Sequence, residues 1–162
     1  MVIVVTVCVA LVAITTFFHY ETLRVLTFGL PRLRMPARAK LLIVIFVTFS
    51  AHALEIFLYA VALYVLSGYL GLGTLGGESH PSLSVALYAS AETYTSLGYG
   101  DIVPEGELRL LAGTETLNGL LLIGWSASYI FIAMERFWSG EGESVVAEAP
   151  PAARRKRKRV ER

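Results

Sequence analysis

Cysteine is nearly missing. Cys8 alone among 162 residues leaves no partner for an intrachain disulfide and no thiolate cluster for a metal, and within an apolar run it reads as a packing residue. Charge is also scarce: Asp, Glu, Lys and Arg make up 17% of the chain against 55% hydrophobic residues, and the mean hydropathy is +0.61. That balance excludes an ordinary soluble domain of this length. The 14 basic and 13 acidic residues nearly cancel to a net charge of +1, so nothing points to nucleic acid as a partner. From Met1 to Phe18 there is no charge at all, and neither a basic leading end nor a small-residue cleavage site follows the pattern of a secretory signal. Retention of this segment is expected. No apolar run repeats arginine at every third position, which excludes a voltage sensor of that design.

What the chain does have is long apolar runs. Met1 to Phe18 is enough to cross roughly 30 Å of hydrocarbon at about 1.5 Å per residue, so residues 1–20 read as a first transmembrane helix. Residues 21–40 form a basic linker. Its part from Arg24 to Lys40 holds Arg24, Arg32, Arg34, Arg38 and Lys40 without a carboxylate, and Pro31 and Pro36 break it into a loop or short interfacial helix. The positive-inside rule places it in the cytoplasm. Leu41 to Tyr69 is a second span carrying Ser50, His52 and Glu55, and it ends in a turret rich in glycine: Gly68, Gly71, Gly73, Gly76 and Gly77. Pro81-Ser82 then offers a helix start, and Leu83 to Thr93 gives about three turns, too few to cross. Such a segment must enter the membrane and return. Leu110 to Phe137 is the third span, and residues 41–138 form one pore-like domain. From Ser139 apolar periodicity is lost, and with the polybasic run Arg154 to Arg162 residues 139–162 are expected to be a disordered cytoplasmic tail. Three spans put the amino terminus outside and both basic clusters inside. The expected fold class is an all-α, multi-pass plasma-membrane protein with three transmembrane helices and one re-entrant helix per subunit, of prokaryotic type.

The chemistry lies between the second and third spans, in Glu92-Thr-Tyr-Thr95-Ser96-Leu97-Gly98-Tyr99-Gly100-Asp101-Ile-Val-Pro104. Backbone that is neither helix nor sheet is tolerated at membrane depth only when buried in protein or lining a water-filled path. Two glycines around one aromatic permit alternating backbone conformations that turn successive carbonyls to one side. One strand supplies one oxygen per level, so replacing an ion's hydration shell takes about four strands about an axis, hence a homotetramer with three identical partner subunits.

At these residues the chain resembles the potassium channel superfamily. Its signature Thr-Thr-Val-Gly-Tyr-Gly-Asp is matched here by Thr95-Ser96-Leu97-Gly98-Tyr99-Gly100-Asp101. The resemblance covers roughly Leu41 to Phe137 and implies a pore helix, a carbonyl filter and an inner helix, without explaining the first span. It implies potassium bound at Ser96, Leu97, Gly98, Tyr99 and Gly100, no other cofactor, and no catalysis. Ser96 keeps the hydroxyl of the usual threonine but loses its methyl, and Leu97 replaces a β-branched residue, so the innermost site is expected to be looser. Tyr99 should point away from the axis onto pore helices, with Tyr88 as its aromatic neighbour and Thr95 supporting the filter. Glu92 and Asp101 stand where some family members pair two carboxyl groups behind the filter.

Helical spacing puts Leu117, Leu121, Gly124, Ser128 and Ile132 in one row, expected to face a central cavity. Gly119 and Gly124 read either as bends or as points of close helix packing. His52 and Glu55 share one face of the second span. Counting depth from the span ends sets Asn118 opposite Glu55 and Thr15 opposite His52. This reads as a structural network, with proton sensing or a metal site as the sharper alternatives. Arg32, Arg34 and the basic tail suit either anionic lipid headgroups or a topology signal. A weakly selective cation channel is the rival within the fold. A proton-coupled transporter or membrane enzyme built on His52, Glu55, Glu115 and Asn118 is the rival outside it.

Overall fold

The structure, a computed structural model, describes residues 1–148, with side chains through Arg136. Helix α1 (Val2–Gly29) runs into a 3-10 turn at Leu30–Arg32; α2 spans Ala37–Gly68, α3 Leu83–Tyr94 and α4 Leu108–Glu148. Among the described residues, Val2–Arg32, Ala37–Gly68 and Leu108–Arg136 are long and apolar enough to cross a membrane. The protein is an all-α membrane protein, as its composition requires.

These helices are apolar all round, so amphipathicity does not choose their inner faces. Lipid tails are as apolar as leucine, and packing together with polar contacts decides instead. Helix α1 buries Val4, Cys8, Leu11, Thr15, His19, Leu23 and Leu26, a stripe at three- and four-residue steps. Helix α2 answers with Val44, Thr48, Ala51, Glu55, Tyr59, Leu63 and Leu66. Cys8 packs in this core as the sequence suggested. The Met1 amine pairs with Glu107 at the head of α4, and Thr27 Oγ1 donates to the Tyr129 hydroxyl at 3.2 Å toward the other end. Helices α1 and α4 therefore run parallel, with α2 antiparallel to both.

Three boundaries differ from the sequence reading, the first being the start of α2, which lies at Ala37 directly after Pro36 instead of at Leu41. Helix α1 does not stop near Phe18 but continues to Gly29, so Arg24 lies on a helix and bonds Glu21 one turn back, at 3.1 Å. Charge marks where a span leaves hydrocarbon, whereas the backbone needs glycine or proline to stop, and these first arrive at Gly29 and Pro31. The same reason carries α4 through Ser139 to Glu148, since a helix leaving the membrane needs no apolar face. The basic run from Arg154 lies outside the described residues.

Helix α3 begins where Pro81-Ser82 indicated, and the Ser82 hydroxyl accepts the Val85 N–H at 3.3 Å. Ser82→Ala should cost about 1 kcal/mol in thermal unfolding of the purified protein, and Ser82→Asp should restore it. The other end stops by a left-handed closure. Ser96 N–H donates to the Thr93 carbonyl at 3.1 Å and Leu97 N–H to the Glu92 carbonyl at 2.9 Å, with Ser96 at φ 57°. The turret folds back on the segment after the filter: Gly76 N–H donates to Val103 at 3.1 Å, Glu105 N–H to Thr74 at 2.9 Å and Glu107 N–H to Leu72 at 3.0 Å. Gly73 makes this approach possible, because a Cβ there would lie 2.1 Å from the Glu105 carbonyl oxygen.

Candidate filter and its supports

The short helix α3 delivers its C-terminus to an extended stretch of unusual backbone. Ser96, Gly98 and Gly100 have φ of 57°, 58° and 81°, while Leu97 and Tyr99 between them stay on the negative side. Alternation of that kind turns alternate peptide planes over and gathers the carbonyls of neighbouring residues on one side of the strand. Leu97 is 57% and Tyr99 71% exposed, an open apolar surface on a single subunit.

Behind the stretch, the Tyr88 hydroxyl donates to Asp101 at 3.1 Å. Glu92, partial burial and Asp101, in that order, raise the Tyr88 pKa above the ordinary tyrosine value. The expected pairing of Glu92 with Asp101 is corrected here: tyrosine takes Asp101, and Glu92 is buried with Oε1 lacking a partner among the described residues. Within the subunit Tyr99 is largely open rather than packed on Tyr88. Thr95 Oγ1 donates to the Ala91 carbonyl at 2.7 Å and steadies the last turn.

On α4, Leu117, Leu121, Gly124, Ser128 and Ile132 are all exposed and share one face, opposite the buried Leu111, Glu115, Asn118, Leu122 and Ser126. Gly119 is a packing point: a Cβ there would meet the Tyr94 carbonyl oxygen at 2.3 Å, whereas Gly124 has open space. Close approach, not bending, explains Gly119.

The intramembrane polar residues form two clusters, with partners other than those expected. Asn118 Nδ2 donates to Thr15 Oγ1 at 2.7 Å and to the Tyr59 hydroxyl at 3.1 Å. Glu55 meets His19 Nδ1 at 2.9 Å, His52 Nδ1 at 3.1 Å and the Tyr94 hydroxyl. The pairs Asn118 with Glu55 and Thr15 with His52 are thus corrected, because one helical turn of about 5.4 Å is enough to exchange partners in a depth count. His19, Tyr59, Tyr94 and Ser126 were missed. For His19 the signal was present, since it continues the step from Thr15 on the buried stripe of α1. Ligand atoms of His19, His52 and Glu55 lie within 4.8 Å of one another, close enough to share a metal ion, and each is hydrogen-bonded to a carboxylate or hydroxyl of the same cluster. Glu115, buried apart from them, lies within hydrogen-bond distance of the Ser90 hydroxyl on α3, whose one hydrogen is shared between Glu115 and the Ile56 carbonyl at 2.8 Å.

Comparison with curated proteins and with solved structures finds no match to the chain. A family model described as an ion channel matches residues 42–136, from the start of α2 through the membrane part of α4, with the re-entrant helix and its extended stretch at the centre. With three helices able to cross a membrane and more than half its length matched, the chain belongs to the two-helix ion-channel family of the potassium channel superfamily.

Proposed function

We propose that the protein is a homotetrameric, potassium-selective channel that conducts passively through the backbone of Ser96 to Gly100. The observation that carries this reading is the alternation of φ sign over Ser96, Leu97, Gly98, Tyr99 and Gly100 at the C-terminus of a short re-entrant helix. A carbonyl row of that form replaces water around a monovalent cation when four copies converge. The negative ends of four α3 helices face the cavity below and stabilise the ion there. Leu97 and Tyr99 are covered by neighbouring subunits in this assembly, and the row Leu117, Leu121, Gly124, Ser128 and Ile132 lines the cavity. The amino terminus is outside, and Arg32 and Arg34 meet the cytoplasmic leaflet with its anionic headgroups.

Potassium flux from liposomes holding the purified protein, compared with sodium, is the test. A barium-sensitive flux at least about tenfold greater for potassium supports the reading. Equal potassium and sodium fluxes favour the weakly selective cation channel, for which the smaller Ser96 and γ-branched Leu97 are the motivating residues. Absence of both fluxes removes the channel reading.

A further inference from the structure

The cluster around Glu55 closes into a ring. His19 Nδ1 meets Glu55 Oε1 at 2.9 Å, and His52 Nδ1 meets Oε2 at 3.1 Å. Both imidazoles then turn their far nitrogens to one hydroxyl: Ser126 Oγ lies 3.0 Å from His52 Nε2 and 3.1 Å from His19 Nε2. The Tyr94 hydroxyl gives its own hydrogen to Glu55 and sits 2.9 Å from His52 Nδ1. His19 and Glu55 are fully buried.

Hydrogen count and buried charge together favour one proton on this ring. Glu55, His19, Ser126 and His52 make four ring contacts, each needing one hydrogen. Two neutral imidazoles and one serine hydroxyl supply three. With the Tyr94 hydrogen given to Glu55, a bound proton supplies the fourth, shared as carboxylate with imidazolium or as carboxylic acid with two imidazoles. Both forms are neutral overall, which low-dielectric burial demands. Without the proton the carboxylate leaves a net negative charge buried, even where His52 carries its hydrogen on Nε2 and takes the Tyr94 hydrogen at Nδ1; with a second proton Ser126 Oγ accepts from both Nε2 atoms and a net positive charge is buried. The other groups nearby are Tyr59 on α2 and Glu115 on α4, which act on Tyr94, and Cys8 on α1, which acts on Tyr59; His19, His52 and Tyr94 are the titratable groups that act on Glu55.

We propose that Glu55, His19, His52 and Ser126 form a binding site for one proton, and that its occupancy sets the conductance of the filter through Tyr94. With Tyr94 the site joins α1, α2, α3 and α4, and Tyr94 stands two residues before the filter stretch, with its carbonyl resting against Gly119. The coupling half rests on the channel reading above.

Trp125 supplies a built-in reporter, its ring centroid 5.6 Å from that of His19, because a protonated imidazole quenches indole emission. With Trp138→Phe, Trp125 is the sole tryptophan of the chain, which has two. Emission and potassium flux are measured on the same liposomes from about pH 5 to pH 9. The expected result is a single-proton transition in emission, with flux changing about fivefold across it, the worth of one lost hydrogen bond. Glu55→Gln carries an acceptor and a donor pair, so its ring closes with no exchangeable proton; emission and flux should then ignore pH. Should that variant not fold, Ser126→Ala removes the shared hydroxyl and should displace the transition by about one pH unit. No transition, a transition that persists unchanged in Glu55→Gln, or stoichiometric zinc on the purified protein overturns the site. A transition with flux flat overturns the coupling. A transition in a protein without flux at any pH supports the proton site and overturns the channel reading.

Discussion

Gly98→Ala is expected to abolish potassium flux while leaving the protein folded. Gly98 holds φ at 58°, and a Cβ there would meet nothing within 4 Å, so the substitution causes no collision inside the subunit. Its cost is purely conformational, about 1–2 kcal/mol for an L-residue in the left-handed region. In the proposed tetramer four copies adopt the strained form together, which amounts to roughly 4–8 kcal/mol and a loss of conducting arrangement of about a thousandfold or more. Gly71→Ala is the matched control. Gly71 has φ of 60° and equally open surroundings, but lies in the turret. The same strain there should lower stability slightly and spare the flux per folded channel. Equal losses from both substitutions would mean that strain anywhere disables the protein, and the filter assignment would lose its support.

Gly119→Ala should have the largest effect on the fold itself. Its Cβ would lie 2.3 Å from the Tyr94 carbonyl oxygen and 3.0 Å from Tyr94 Cγ, and neither the backbone of α3 nor a ring packed in the core moves aside cheaply. Overpacking of this kind costs about 1–3 kcal/mol per subunit. The thermal midpoint of the detergent-solubilised protein should fall by about 3 °C or more. Gly113→Ala, on the same helix with nothing within 4 Å, should hold or raise the midpoint, because alanine is the better helix former. A wild-type midpoint in Gly119→Ala would restore the hinge as the better account of that glycine.

The end of α2 and the start of α3 were legible because hard backbone signals mark them, the glycines from Gly68 and Pro81-Ser82, whereas the start of α2 was placed at Leu41 by the last charge and lies at Ala37, after Pro36. The ends of α1 and α4 were less so, because charge and loss of apolar periodicity report the membrane surface, not the end of a helix. The Gly-Tyr-Gly stretch announced two of the three left-handed positions. Ser96 did not announce the third, since serine carries no such preference and adopts φ 57° only because the closing turn of α3 demands it. His52 and Glu55 were visible as polar residues with nowhere to go in lipid. Their partners were not visible, because Tyr94 and Ser126 come from elements whose relative height depends on tertiary packing that no count along the chain supplies.

The closing turn of α3 and the turret ladder hold the filter stretch at opposite ends, one through Glu92 and Thr93, the other through Val103 and Glu105. A chain moored at both quays has no slack. A one-residue insertion between Leu97 and Asp101 therefore has nowhere to bulge without breaking one mooring. Length, more than side-chain identity, is then the quantity most tightly held along this part of the polypeptide.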